Sequence, residues 1–324
     1  MAVVRNVLVT GASGFVGSHL VAGLDGAAVS AVTRGPGTLP PGVANVIVPS
    51  IDGATEWDGR LDGINAVVHL AGLAHRSGQF ATANLSLYED VNAKGTIRLA
   101  EAAARAGVRD FLFVSSIHVN GTTTDGRPPF RESDPPAPSG PYGSSKAKAE
   151  AGLAEIAART GMAVTVIRPP VLHGAGARGN VGRLASALRR GVPLPLASIR
   201  NRRAFLGIDN FVGFVNWRLS TPNAWCETFI VADDVQPSTP NFVALLGAAI
   251  GRRARLVPFP PALLRRALLA TGRGAMAEGL LSSLEVDTTK AKAAGWRPRF
   301  TLAEGLDRAF AKDASGAGAQ ATGS

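Results

Sequence analysis

Short apolar runs alternate with alanine-rich amphipathic stretches through the first half of the chain, the pattern of a parallel sheet covered by helices on both faces. The runs at residues 6–10, 28–33, 45–48, 66–70, 111–115 and 163–168 read as strands. Helices are expected between them, most clearly at 15–24, 84–106 and 142–160, with Gly107 and Gly161 where left-handed C-caps should fall. Past Pro169 the alternation loosens into loops, a helix near 181–190 and an irregular stretch over 193–209. The fold class expected is α/β: a Rossmann doubly wound parallel sheet over 1–168, then a smaller C-terminal α/β substrate-binding domain over 169–312, with room for elements that return to the first domain. The small, polar segment 313–324 is expected to be disordered. The proline-rich stretch 127–141 cannot be helix or central strand, and reads equally as a flap over a site or as a plain surface loop.

The first strand runs directly into Thr10-Gly11-Ala12-Ser13-Gly14-Phe15-Val16-Gly17. Three glycines alone are a weak signal, but this set lies between a strand and a helix in the first βαβ unit, where a dinucleotide cradle must lie. Gly11 allows the tight turn, Gly14 lets backbone approach a pyrophosphate, and Gly17 lets helix and strand pack closely. Free N–H groups and the positive dipole end of the helix then face the phosphates. A carboxylate closing the second strand would accept from the ribose 2′-hydroxyl; here Thr33 and Arg34 occupy that place. With a guanidinium and no acid, NADP(H) is favoured over NAD(H), which stays the alternative.

Tyr142 and Lys146 are four residues apart in Tyr142-Gly143-Ser144-Ser145-Lys146, so both project from one helix face. An ordinary phenol has a pKa of about 10, and a neighbouring ammonium is expected to lower it toward a useful range for a base. Ser116 leaves the C-terminal end of the fifth strand, the edge where open α/β sheets bind ligands, and can hold the reacting oxygen beside Tyr142. Chance alone often produces a tyrosine and a lysine at this spacing; together with the cradle and the strand-end serine they form a catalytic set.

Composition narrows the class further. Of 324 residues 46% are hydrophobic, ample for a sizeable core. The single cysteine, Cys226, excludes an internal disulfide and a cysteine-built metal site, and no metal is expected. The apolar stretch 258–270 is short and broken by Arg265 and Arg266, so it reads as an amphipathic helix on a soluble body rather than a membrane span. The start of the chain lacks the pattern of a secretion leader, and a cytoplasmic protein without a membrane partner is expected. The net charge of +10 is uneven: residues 1–162 hold 13 basic against 14 acidic side chains, residues 163–324 hold 21 against 10. Scattered arginines with 6% aromatics and no recognisable module argue against a nucleic-acid partner. They form either a solvated surface or a field that draws a phosphate-bearing small molecule.

These residues resemble those of extended short-chain dehydrogenase/reductases of the nucleotide-sugar epimerase and dehydratase type, from Val7 to about Gly305. Further matching stretches are His69-Leu70-Ala71-Gly72, Asn92 to Thr96, Ser115 to Gly121, Arg168-Pro169-Pro170, Arg203 to Asn210, and Lys290 to Trp296. The resemblance implies a UDP-sugar substrate, cofactor contacts at Leu70, Ala71, Gly72, Asn92, Ser115 and Lys146, Pro169 beside the nicotinamide, and a homodimer through the helices at 84–106 and 142–160. It places Asn180 and Arg203 at the nucleotide diphosphate, and His75 and Leu194 at the substrate. Segments 116–121, 179–180 through 193–196, and 201–203 are similar to a subgroup acting on UDP-N-acetylhexosamines, both 4-epimerases and 4-keto reductases. Arg34 tips the balance slightly to a reductase drawing on NADPH. A reductase of a non-sugar ketone and a non-catalytic NADP sensor are less favoured, the first because the arginine-rich second half suits a phosphorylated substrate, the second because Tyr142 and Lys146 are both kept. Three departures stand out. Ser50, beside Ile51, replaces an aspartate that often holds adenine. His118 stands where dehydratases carry an acid, which argues against a 4,6-dehydratase; it either contacts substrate or is simply packed. A second diphosphate-binding arginine has no evident place.

Overall fold

The computed structural model describes residues 5–73, 85–177, 179–221 and 226–310. The chain runs β1 (Arg5–Thr10), α1 (Phe15–Gly23), β2 (Ala27–Thr33), β3 (Ala44–Ile47), β4 (Ala66–His69), α2 (Leu85–Tyr88), a π-helical turn (Glu89–Lys94) and α3 (Gly95–Arg105). It continues through β5 (Asp110–Val114), α4 (Gly140–Thr160), β6 (Ala163–Arg168), β7 (Val171–His173), α5 (Gly179–Arg189), β8 (Phe205–Gly207), α6 (Ile208–Ser220) and β9 (Cys226–Ile230). It closes with α7 (Thr239–Ala249), α8 (Pro261–Ala270), α9 (Gly274–Leu281), α10 (Thr289–Ala293) and α11 (Leu302–Phe310).

Seven strands pair in parallel in the order β3-β2-β1-β4-β5-β6-β9. The expected strands and helices form within a residue or two of the positions read from the pattern. Strands β4 and β5 are buried along their whole length, because separate apolar clusters cover the two faces of the sheet. Gly161 takes φ 74° and caps α4 through its N–H to Ala157 O, as expected. Strand order reverses between β1 and β4, which opens the crevice where this fold binds ligands.

The second half does not keep to itself. After β6 the chain builds a two-stranded parallel sheet from β7 and β8, then returns: α6 packs on α1, and β9 joins the edge of the large sheet beside β6. A third core, holding residues of α5, α7 and α11, supports the remainder. The stretch 127–141 is neither a flap nor a plain loop. Phe130 is buried, its N–H donates to Glu285 O (2.9 Å) and its carbonyl accepts from Asp287 N (2.8 Å). The Glu132 carboxylate accepts from Ile230 N (2.8 Å), so the strap is pinned across the end of β9. The segment expected to be disordered, 313–324, lies outside the described residues.

Candidate active site

At the switch point the two loops touch. Gly11 has φ 70°, and a Cβ there would lie 2.8 Å from Ala71 N. A Cβ on Gly17 would come within 2.1 Å of Gly11 O, so α1 can sit this close to β1 only with glycine. Gly14 is the N-cap of α1 and gives its first N–H groups no side-chain partner, while Ser13 beside it is exposed and Phe15 and Val16 are half-buried. An open helix N-terminus behind a glycine-rich turn fits a diphosphate. At the end of β2, Thr33 Oγ1 lies 2.7 Å from both Gly35 O and Asn45 Oδ1, and Arg34 is exposed beyond it. Ser50 is exposed beside half-buried Ile51; Asp52, two residues on, accepts from Ala54 N (2.9 Å) and is held below the usual carboxylate range, chiefly by Ser50.

Beneath the crevice a buried chain of hydrogen bonds ties the loops together. Thr10 Oγ1 lies 3.2 Å from Leu70 N and from Ala71 N, accepting from both, and 2.6 Å from His69 Nδ1. His69 Nε2 is 2.9 Å from Thr96 Oγ1, whose proton goes to Asn92 O (2.7 Å). With Thr10 donating to Nδ1, only the neutral Nε2–H tautomer satisfies every partner. Burial, helped by the charge of Lys146, accordingly pushes the His69 pKa down to about 3. Thr10 and Thr96 fall within recognisable sequence motifs, but the pattern assigns neither of them a role.

Asn92 stands in the π-helical turn, where one widened turn swings it inward. Its Oδ1 accepts from Leu73 N (2.7 Å), and its Nδ2 donates to Leu73 O (3.1 Å) and to Ser145 Oγ on α4 (3.0 Å). It therefore braces the loop after β4 against the helix that carries Tyr142. A Cβ on Gly72 would lie 2.8 Å from Asn92 Oδ1 and 3.5 Å from Lys146 Nζ, so the loop, the brace and the ammonium share one spot.

Ser116 hydrogen-bonds the Tyr142 phenol and also accepts from His118 N (3.2 Å). The rings of His118 and Tyr88 stand edge-on to Tyr142 at 5.9 and 6.5 Å, so His118 joins the site. The pairing with Lys146 differs from expectation. Lys146 Nζ donates to Val114 O (2.9 Å) and lies 4.5 Å over the Phe113 ring; burial lowers its pKa to about 8. The phenol is raised, not lowered: desolvation outweighs the hydrogen bond from Ser116, and Tyr88 adds to the rise. Ser115, expected at the cofactor, donates its hydroxyl to Glu150 on α4. Pro169 is buried at the end of β6, its carbonyl accepting from Ile117 N (3.1 Å).

Of the residues expected at the substrate, Asn180 and Arg203 meet the same helix, α9. A Cβ on Gly279 would lie 2.5 Å from Asn180 Nδ2. The Arg203 guanidinium donates to Ser282 O (2.7 Å) and Glu278 O (3.2 Å) at the end of that helix, and burial lowers its pKa to about 10. Arg265 of α8 reaches the same place, 3.0 Å from Ser282 Oγ, a second guanidinium that the motif pattern could not place. Leu194 pairs with the segment before α8, donating to Arg255 O (2.8 Å) and accepting from Val257 N (2.9 Å). Ile117, next to Ser116, shares an apolar cluster with Ala204, next to Arg203, and so links the two halves. His75 lies outside the described residues. Among the described residues no cluster of acids, histidines and cysteines suits a metal ion, and no helix is long and apolar enough to cross a membrane.

A sequence profile of the NAD dependent epimerase/dehydratase family matches residues 7–229. A UDP-glucose 4-epimerase of Vibrio cholerae is 33% identical over 312 residues, 93% of each chain. The N-acetyl-alpha-D-glucosaminyl-diphospho-ditrans,octacis-undecaprenol 4-epimerase of Escherichia coli O157:H7 is 28% identical over 318 residues, 94% of this chain and 93% of its own. The solved structure of MoeE5 in complex with UDP-glucuronic acid and NAD superposes with a TM-score of 0.76 at 27% identity, covering 94% of this chain and 98% of that one.

Proposed function

The chain belongs to the NAD-dependent epimerase/dehydratase family, and from that premise we propose that it epimerises C4 of a UDP-sugar of N-acetylhexosamine type while keeping its dinucleotide through the cycle. The observation that carries this reading is the Ser116–Tyr142 hydrogen bond at the C-terminal edge of β5, next to the spot where Gly72, Asn92 and Lys146 meet. When bound on the cradle, a nicotinamide dinucleotide supplies a reversible acceptor and donor of hydride. Tyr142 exchanges a proton with the C4 oxygen, and Ser116 holds that oxygen in line. Lys146 would hold the ribose hydroxyls of a bound dinucleotide. Arg203, Arg265 and Asn180 bring positive charge and an amide to the diphosphate. Residues 169–312 are mainly the substrate side in this reading, and α2–α3 with α4 form the homodimer face.

Arg34 favours a second reading, a 4-keto reductase fed by NADPH. Two full-length relatives named as 4-epimerases support the first reading, and one exposed guanidinium at the end of β2 supports the second. Purified protein incubated with UDP-N-acetylglucosamine and no added reductant should yield the C4 epimer, and Tyr142→Phe should lower that rate by about 10²–10⁴-fold. No epimer, but one NADPH lost per 4-keto-6-deoxy nucleotide sugar reduced, would install the reductase instead. If NADP(H) binds more tightly than NAD(H), Arg34→Ala should weaken the phosphorylated form alone.

A further inference from the structure

The helix expected on a soluble body without a membrane partner, α8, is poorly covered. None of its residues is buried: Leu263 is 50% exposed and Leu269 56%, and Phe259 just before the helix is 39% exposed. Only Leu264, Arg265 and Leu268 turn inward. The outward side carries Ala262, Leu263, Arg266, Ala267, Leu269 and Ala270. Charge along this part of the chain is one-sided: residues 235–277 hold six arginines, at 252, 253, 255, 265, 266 and 273, and no aspartate or glutamate, and the next acid, Glu278 on α9, is half-buried. Five of them, all but Arg265, are exposed.

We propose that α8 and the arginines around it dock the protein on the surface of an anionic phospholipid bilayer. An exposed apolar helix face edged by arginines lies in the plane of a bilayer, its leucines among the acyl chains and its guanidiniums at the phosphates. The charge selects this occupant. A second copy meeting the same face about a two-fold axis would set arginine against arginine with no acid to answer it. A polyanion would pair with the arginines but leave Leu263, Leu269 and Phe259 in water. Because Leu194 pairs with Arg255 and Val257, the docking surface is attached directly to the substrate side of the cleft. The inference does not depend on which C4 reaction is performed.

The test is co-sedimentation of the full chain with phosphatidylcholine vesicles, with and without phosphatidylglycerol. Binding is expected only to the anionic vesicles, and added salt should weaken it. Arg252→Glu with Arg253→Glu should lower partitioning by about 30-fold or more, at about 1 kcal/mol for each arginine near the surface. Leu263→Asp with Leu269→Asp should abolish it. Since all four positions are exposed, dinucleotide affinity should be unchanged in both double variants, which separates lost docking from lost folding. Protein left in the supernatant with anionic vesicles would overturn the proposal. So would undiminished binding by either double variant, a dimer that dissociates on the leucine substitutions, or binding to duplex DNA without binding to vesicles.

Discussion

Acidification puts the hydrogen-bond chain at the switch point under direct load. In the native protein His69 is neutral with a pKa of about 3, against 6.5 for an exposed imidazole. A base whose folded pKa is depressed contributes fully above its unfolded pKa, and that contribution is lost as pH falls below it. Between pH 6.5 and about 3 the unfolded chain holds a proton that the native chain refuses, which costs stability at about 1.4 kcal/mol per pH unit. By pH 4.5 the loss from this one residue is about 3 kcal/mol, a large share of the roughly 5–15 kcal/mol that holds a domain. Urea unfolding of the wild type and His69→Asn, measured in steps from pH 7 to pH 4.5, isolates the effect. The variant starts less stable, because Thr10 and Thr96 lose partners, but its pH slope should be shallower by about 1.4 kcal/mol per unit, other titrating groups being common to both. Dinucleotide affinity of the folded protein should hold over the same interval, since neutral His69 goes on accepting from Thr10, whose oxygen fixes Leu70 and Ala71. Equal slopes in the two proteins, or a His69 ring signal that titrates near pH 6.5, would refute this account.

Ser116→Ala removes the group that pulls the Tyr142 phenol down, so the alkaline-rising limb of the pH–rate profile should move to higher pH, with turnover at neutral pH falling by roughly tenfold for the lost hydrogen bond; an unmoved limb would detach Ser116 from the phenol. Glu150→Gln leaves the buried guanidinium of Arg168 without its counter-charge and should cost about 3–5 kcal/mol in a urea titration at pH 7. Gly17→Ala drives a methyl group into Gly11 O and Ala12 Cα, at 2.1 and 2.7 Å, and should cost about 3 kcal/mol or more and abolish dinucleotide binding, read by fluorescence titration. Leu85→Asp with Leu87→Asp, at exposed apolar positions of α2, should convert a dimer to monomers in sedimentation velocity without changing α8-dependent vesicle binding.

The Rossmann half is legible in sequence because its signals are local. Buried strands are unbroken apolar runs, and helix ends are marked by glycines such as Gly161, whose positive φ other residues avoid. The π-helical turn is not legible: Glu89–Lys94 has an ordinary helical sequence, and the bonds of Asn92 to Leu73 and Ser145 that accompany the wide turn come from distant segments. Nor can pattern show that α6 and β9 return to the large sheet, since their apolar residues would suit either core. The strap at 127–141 is opaque for the same reason. Its prolines exclude regular structure, but its anchor is the distant backbone of 285–287.

At the site, Tyr142 and Lys146 are a recognisable pair, yet what sets their height and angle lies one turn further along α4. Glu150 follows Lys146 by four residues and faces the same way, and its carboxylate receives Nε of Arg168 at 3.0 Å from the end of β6 and Ser115 from the end of β5. Arg168 reaches on to Asn120 Oδ1 (3.0 Å), and Asn120 Nδ2 donates to Arg131 O (2.9 Å) in the strap. A glutamate in an alanine-rich helix reads in sequence as solvated surface; with its side chain only 10% exposed here, it has to be paired. That necessity fixes the helix to two neighbouring strand ends, so the phenol one turn beyond the ammonium cannot slide relative to Ser116. The position of the proposed base is thus set by an ion pair that takes no part in proton transfer, which is why the Y-x-x-x-K spacing identifies the chemistry but not the geometry that would make it work.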